Sequence, residues 1–218
     1  MHIAIDGPSG AGKSTVARRL AKELGCVYMD TGAMYRAVGL LAHRLGVDDR
    51  DDEALGRMLE GVEIRAVRTP EGQRTLLNGE DVEDSIRTQE IGMAASNVAA
   101  CPSVRRALVA MQRQAAQGCD VVMDGRDIGT NVLPNAEHKF FLTASPRVRA
   151  KRRCEELLAR GQAAEFAQIL REVQERDEQD MTRKESPLVR AADAVEVRTD
   201  DLGIDEVVQV LLALMGRA

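Results

Sequence analysis

The residues whose types and spacing could do chemistry begin at position 7. Gly7-Pro8-Ser9-Gly10-Ala11-Gly12-Lys13-Ser14, followed by Thr15, fits the pattern G-x-x-x-x-G-K-[ST]. Glycines let a backbone curl so that successive N–H groups point inward and form a concave anion nest. A helix opening there adds the positive end of its dipole. In this pattern the lysine, Lys13, reaches the β- and γ-phosphates of a nucleotide, and the hydroxyl of Ser14 ligates Mg2+. Gly7–Thr15 is therefore a candidate cradle for the phosphates of ATP or GTP. Alone it names a nucleotide and no reaction.

Three further segments bear on the reaction. Asp30-Thr31-Gly32-Ala33-Met34-Tyr35-Arg36 ends a short apolar run with an acid and sets a hydroxyl and an arginine after it. Asp124-Gly125-Arg126-Asp127-Ile128-Gly129-Thr130 follows the apolar stretch DVVMD. An acid at the end of such a strand, beside a phosphate loop, suits the organisation of Mg2+ and its waters. Asp124 is thus a candidate metal ligand acting through water, with Arg126 able to grip phosphate and Asp127 able to accept from an amino group. Arg176, Asp180 and Arg183 stand at spacings of four and three, which on a helix is one face. Each segment has a plainer reading: Arg36 as a solvated helix arginine, residues 124–130 as a solvated turn, and the 176–183 row as a surface ion-pair face.

Taken together, such a set suits phosphoryl transfer. The loose transition state spreads negative charge over the transferred group, so lysine, arginines and Mg2+ can stabilise it electrostatically. An arginine-bearing segment that closes over the phosphates also excludes water.

The elements that must position these residues follow from hydrophobic periodicity. His2–Asp6 reads as a buried strand, Ser14–Leu24 as a helix with Val16, Ala17, Leu20 and Leu24 on one face, Cys26–Asp30 as a second strand and Ala33–Leu45 as a second helix. Strand, loop, helix, strand, helix predicts a parallel sheet with right-handed crossovers. In such sheets ligands sit at the carboxyl ends of the strands, which places Asp30, Thr31 and Arg36 near the phosphate loop. From Asp48 to Asp84 the character changes. Val62–Arg68 alternates apolar and polar, Thr69–Gly72 is a turn, and Gln73–Val82 carries an Asn78-Gly79 turn signal, which predicts a small antiparallel insertion. Ser85–Gln117 is helix-like and interrupted by Pro102. Strands return at Asp120–Asp124, His138–Thr143 and Ala194–Thr199. Ser145 as N-cap and Pro146 in the first turn open one long charged helix, and Gly203–Met215 closes the chain as an amphipathic helix. The fold class expected is α/β, a five-stranded parallel sheet flanked by helices in three layers.

Composition narrows the classes. Among the 218 residues aromatics are only 2%, which disfavours the stacking platforms of many single-strand nucleic-acid binders. A net charge of -5 likewise argues against a nucleic-acid partner. No run approaches a membrane span, and no basic then apolar leader opens the sequence. Cys26, Cys101, Cys119 and Cys154 lack metal-ligand spacing and suit reduced thiols of a cytoplasmic protein. A nucleotide switch is disfavoured by the arginine row and by the lack of an Asn-Lys-x-Asp segment.

GPSGAGKST, DTGAMYR, IRTQEIGMAAS, DGRDIGT and RDEQDMTR occur here in the order found in bacterial cytidylate kinases, and the sequence resembles that family over nearly its whole length. The resemblance implies ATP-dependent phosphorylation of CMP and dCMP by a monomer. It implies a single kinase domain with a core (1–47, 118–145 and 191–218), an insertion with helices that binds the nucleoside monophosphate (48–117) and a lid (146–190). It assigns Thr31, Ser96, Arg105 and Asp127 to the pyrimidine side of the acceptor site and Arg36 and Arg126 to the acceptor phosphate. It assigns Arg176, Asp180 and Arg183 to a lid that reaches the acceptor sugar and the phosphates. Without it, Ser96 reads as a small helix residue and Arg105 as an exposed one. Two departures stand out: Gln89 where the family often has proline, and the charged Arg198–Asp201 after the last strand, near the expected donor adenine.

Overall fold

The computed structural model of the protein describes residues 1–69, 72–159 and 161–217. Its first elements are β1 (His2–Asp6), α1 (Lys13–Leu24), β2 (Val27–Asp30) and α2 (Thr31–Leu45). The second helix starts earlier than its apolar spacing predicts because Asp30 caps it, its carboxylate accepting from Ala33 N at 2.9 Å.

The region expected to be a purely antiparallel insertion opens instead with a short helix, α3 (Asp52–Met58). Asp51 caps it by accepting from Glu53 N at 3.1 Å and Ala54 N at 3.0 Å. About two turns with a single fully buried side chain, Leu55, leave too little periodicity to detect in a sequence. The antiparallel strands follow as β3 (Ile64–Thr69), β4 (Gly72–Leu77) and β5 (Glu80–Asp81), in that order in one sheet. Asn78 (φ 50°) and Gly79 (φ 84°) form the left-handed pair that joins β4 to β5. Of the expected Thr69–Gly72 turn, Pro70 and Glu71 lie outside the described residues.

A 3-10 turn at Ser85–Arg87 leads to α4 (Gln89–Val98) and α5 (Pro102–Ala115), Pro102 standing in the first turn of the latter. Then come β6 (Val121–Gly125), an unpredicted π-type turn at Ile128–Val132 and β7 (His138–Thr143). The long charged helix expected from Pro146 is two helices, α6 (Pro146–Ala159) and α7 (Phe166–Thr182). Between them Gly161 takes a φ of 71°, which ends helical propagation. Ser145 caps α6 as predicted, its Oγ accepting from Val148 N at 3.4 Å. The chain closes with β8 (Val195–Arg198) and α8 (Ile204–Leu214).

The parallel sheet has five strands in the order β2-β6-β1-β7-β8. β1 is the central strand, with Asp6 opposite Gly125 on one side and Phe141 on the other. This register sets the phosphate loop, at the end of β1, beside the DGRDIGT segment that leaves β6. Among the described residues no helix is long and apolar enough to cross a membrane.

The chain divides into two compact units, residues 1–27 with 120–218 and residues 28–119. The first is built on fully buried Ile3, Ile5, Leu20, Met123, Leu142 and Leu211. The second packs α2, α4 and α5 around Val38, Leu55, Ile86, Val98 and Leu108. Within it a Cβ on Gly39 would stand 3.1 Å from both the Ala94 Cβ and the Ala95 N, so a side chain there would press α2 and α4 apart by a few tenths of an ångström.

Candidate active site

The phosphate loop is held open by its glycines. Gly7 has φ 144°, and a Cβ there would fall 1.9 Å from the Leu142 carbonyl oxygen, so no other residue fits beside β7. Lys13 is buried, and its Nζ donates to the Pro8 carbonyl at 2.8 Å, across the mouth of the loop. Burial pushes this ammonium well below its ordinary value, and the neighbouring Arg126 charge acts the same way. Asp124, Asp180 and Asp6 oppose that shift without cancelling it, and a polyanion in the loop would add further counter-charge. Ser14 Oγ donates to Asp124 Oδ2 at 2.7 Å, which unites the two residues read as metal-organising. A hydroxyl and a carboxylate are hard oxygen donors of the kind Mg2+ takes, with phosphates and water completing its shell. The pair therefore fits that ion.

The DGRDIGT loop is anchored by a residue the motif reading missed. The Asp6 carboxylate accepts from Ile128 N at 2.8 Å and from Gly129 N at 2.7 Å. Burial raises it to about 6 even though both backbone donors favour the charged form. Asp6 immediately precedes Gly7 at the end of an apolar strand, and that placement was the available signal.

Arg126 and Asp127 leave this loop toward α7. Arg126 Nε donates to Asp180 Oδ2 at 2.6 Å. Arg183 approaches both carboxylates, at 3.7 Å from Asp127 Oδ1 and 3.6 Å from Asp180 Oδ1. Burial pushes the Asp180 carboxyl upward, but Arg126, Arg176 and Arg183 outweigh it and hold the group below its ordinary value. Arg126, Asp127, Arg176, Asp180 and Arg183 thus form one charge cluster, of which the spacing had suggested only that Arg176, Asp180 and Arg183 share a face. One detail differs: Arg183 is the C-cap of α7 and no longer helical, so the row ends in the loop beyond the helix. Asn131 is a further unpredicted member, donating to Asp127 Oδ2 at 3.0 Å and to Ser186 Oγ at 3.1 Å. Thr199 was also missed; its hydroxyl donates to the Ala11 carbonyl at 3.2 Å and accepts from Arg152 Nη1 at 3.1 Å.

The other residues assigned to the acceptor lie in the second compact unit. Thr31 is buried at the first position of α2. Arg36, one turn on, donates through Nη2 to Asp30 Oδ2 at 2.9 Å, while its buried Nε has no hydrogen-bond partner. Asp30 also accepts from Arg87 Nη1 at 3.2 Å, and Arg87 is gripped by Glu83. Burial raises Asp30, but Arg36 and Arg87 reverse the shift and keep it ionised. Ser96 lies on α4. Arg105, expected to be exposed, is 3% exposed, with its guanidinium 5.7 Å from the centre of the Tyr35 ring and Nη1 donating to the Ala99 carbonyl at 3.3 Å. The tyrosine face supplies what a sequence cannot display, an apolar cover that tolerates the cation.

Among the described residues no group of three His, Cys, Asp or Glu side chains is arranged to hold a metal ion. The basic groups can neutralise phosphates from both the loop, through Lys13, and the α7 side, through Arg126, Arg176 and Arg183.

Comparison with known proteins bears on which reaction this is. Residues 3–217 match the family model described as cytidylate kinase. A cytidylate kinase from Carboxydothermus hydrogenoformans is 50% identical over 217 residues, covering 100% of this chain and 98% of its own length. One from Pelotomaculum thermopropionicum is 52% identical over 213 residues, covering 97% and 94%. Among solved structures, a shikimate kinase from Bacteroides thetaiotaomicron superposes with a TM-score of 0.51 at 16% identity, over 99% of this chain and 98% of that one. That likeness concerns the fold alone. With sequence identity near half across its full length, the chain belongs to the cytidylate kinase family.

Proposed function

We infer that the protein transfers the γ-phosphoryl group of ATP to CMP and dCMP, giving ADP with CDP or dCDP, and so serves pyrimidine nucleotide metabolism. The observation that carries this reading is the junction made by one loop. Asp124 meets Ser14 of the phosphate loop, and three residues later Asp127 approaches Arg183, the residue that ends α7. Donor handling and acceptor handling are thereby built on adjacent residues.

The transfer is direct and in-line. The acceptor phosphate is already an anion near neutral pH, so neither a covalent enzyme intermediate nor a general base is needed. Lys13 and Gly7–Thr15 hold the donor phosphates. Arg126, Arg176 and Arg183 neutralise charge on the transferred group, the kind of preorganised stabilisation that dominates such reactions. Arg36 and Arg126 hold the acceptor phosphate, with Thr31, Ser96, Arg105 and Asp127 around the base and Asp180 at the sugar. Ser14 and, through water, Asp124 would hold Mg2+, which when bound neutralises the β- and γ-phosphate oxygens. Asp127 reads the exocyclic amine of cytosine, and a site built for that donor penalises a base without it. The protein works as a cytoplasmic monomer, with residues 48–117 as the insertion that binds the monophosphate and 146–190 as the lid.

Steady-state ADP production with Mg2+, ATP and one monophosphate at a time tests the reading. CMP and dCMP should give kcat/KM values on the order of a hundredfold above those for AMP and UMP, the discrimination that one buried polar contact supplies. Equal rates on CMP and AMP would refute it.

A further inference from the structure

Arg149 carries no role in the site as described, yet it is one of the most buried charges in the protein, 2% exposed. It lies in the first turns of α6 and spends its guanidinium on three different segments. Nε donates to the Ala144 carbonyl at 2.8 Å, at the joint between β7 and α6. Nη1 donates to the Ser9 carbonyl of the phosphate loop at 3.0 Å and to Asp177 Oδ1 on α7 at 2.9 Å, and Nη2 completes a bidentate pair with Asp177. Its stem also covers the loop, since a Cβ on Gly10 would stand 3.2 Å from the Arg149 Cβ.

Asp177 lies directly after Arg176 and one turn before Asp180. The apolar packing that joins α6 to α7 consists of Ala150, Leu157 and Ile169, with Cys154, Ala164, Leu170 and Val173 beside them, and it stops at Val173. Beyond that point α7 is polar apart from Met181. A cavity of about 370 Å3 lined by Pro8, Thr143, Arg149, Asp177 and Met181 lies where further packing would be. The last turns of α7 are therefore placed by polar ties, among them Asp177 to Arg149, Asp180 to Arg126, Arg183 to Asp127 and the Asp180 carbonyl accepting from Leu188 N at 2.8 Å. Only the first of these also holds the phosphate loop.

We propose that Arg149 is a positioning residue for phosphoryl transfer, a strut that fixes the Arg176–Arg183 end of α7 relative to the phosphate loop through Ser9 and Asp177. It touches neither substrate. It sets where the arginines of α7 stand when the donor phosphates occupy the loop, and misplacing a catalytic group by about 1 Å can cost on the order of a hundredfold in rate. A lysine cannot substitute, because one ammonium cannot span a carbonyl and both oxygens of a carboxylate in the fixed geometry of the guanidinium fork.

This inference rests on the phosphoryl-transfer reading, and the two can fail separately. Wild-type rates on CMP against AMP judge the acceptor; ratios of variant to wild type on the best acceptor judge the strut. Arg149→Lys and Asp177→Asn should each lower kcat at least about tenfold while leaving the KM for ATP within about threefold, the signature of an interaction realised in the transition state. The double variant should be no slower than the slower single one, because both changes cut the same tie. Arg153→Ala, which removes an exposed arginine paired with Glu156, should keep wild-type kinetics. Wild-type kcat in either single variant overturns the proposal, and so does a loss that rises equally in KM or multiplies in the double variant. Should Arg149→Lys fail to fold, Asp177→Asn, isosteric with the native side chain, decides by the same kcat-against-KM split.

Discussion

Asp6 and Asp180 are both buried carboxylates, and their surroundings drive them in opposite directions. Asp6 has backbone donors for company and is raised to about 6, whereas Asp180 is overwhelmed by three arginines and lowered. For Asp6 the raised value means a stabilising contribution that is complete below its ordinary 3.8 and lost as pH rises through about 6. The difference corresponds to roughly 3 kcal/mol as an upper figure. Asp6→Asn removes this titration and turns an NH2 toward one of the two backbone donors. In urea unfolding the wild type should be more stable than Asp6→Asn at pH 4, with the gap shrinking as pH rises to 7. A gap that is flat or widens over that range would show that Asp6 does not titrate as its burial requires. At this scale the sequence is legible where chemistry is local. Lys13, Ser14 and Asp124 declare themselves by spacing and by the strands before them. Asp6, Asn131 and Arg149 do not, because their partners lie more than fifty residues away or on another helix, and burial is a property only the folded chain has.

Strands and helices with strong periodicity are the elements a sequence shows best. β1, β6, β7 and α1 fall within a residue or two of their apolar runs, since a central parallel strand must be apolar on both faces. α3 escapes notice because it is short and its cap, Asp51, is one of five acids among residues 48–53. The break between α6 and α7 escapes because a dense alternation of charges reads as continuous helix until Gly161 takes a left-handed conformation. The packing of α2 on α4 rests on Gly39, and this allows a test at the level of elements. Gly39→Val should separate the two helices and cost about 2 kcal/mol of stability, as overpacking at a close contact does. Since α2 carries Thr31 and Arg36 and α4 carries Ser96, the KM for CMP should rise several-fold while the KM for ATP changes little. Parallel increases in both would mean that these helices do not serve the acceptor.

Over the whole molecule, a net charge of -5 coexists with local groups of arginines in each of the two units. Arg126, Arg176 and Arg183 converge with Lys13 in the unit formed by residues 1–27 and 120–218, while Arg36, Arg87 and Arg105 gather in residues 28–119. The division into two units was not legible in the sequence: the change of pattern falls after the second helix, at Asp48, whereas the second unit begins at Tyr28, because contact density depends on how distant segments pack. The residue types were clearer for Ser14, Asp124, Arg126 and Arg36 than for Arg87 and Glu83, whose pairing with each other and with Asp30 only the folded chain displays. Arginines beside the phosphate loop and within residues 28–119 fit the reaction of the cytidylate kinase family, in which a phosphoryl group passes from ATP to an anionic acceptor. A single-turnover experiment with γ-labelled ATP, Mg2+ and CMP tests this most directly. The label should appear in CDP, in step with ADP formation and with no labelled protein on the way. Label released as inorganic phosphate at a rate indifferent to CMP, or trapped on the enzyme, would contradict direct transfer to a cytidine monophosphate.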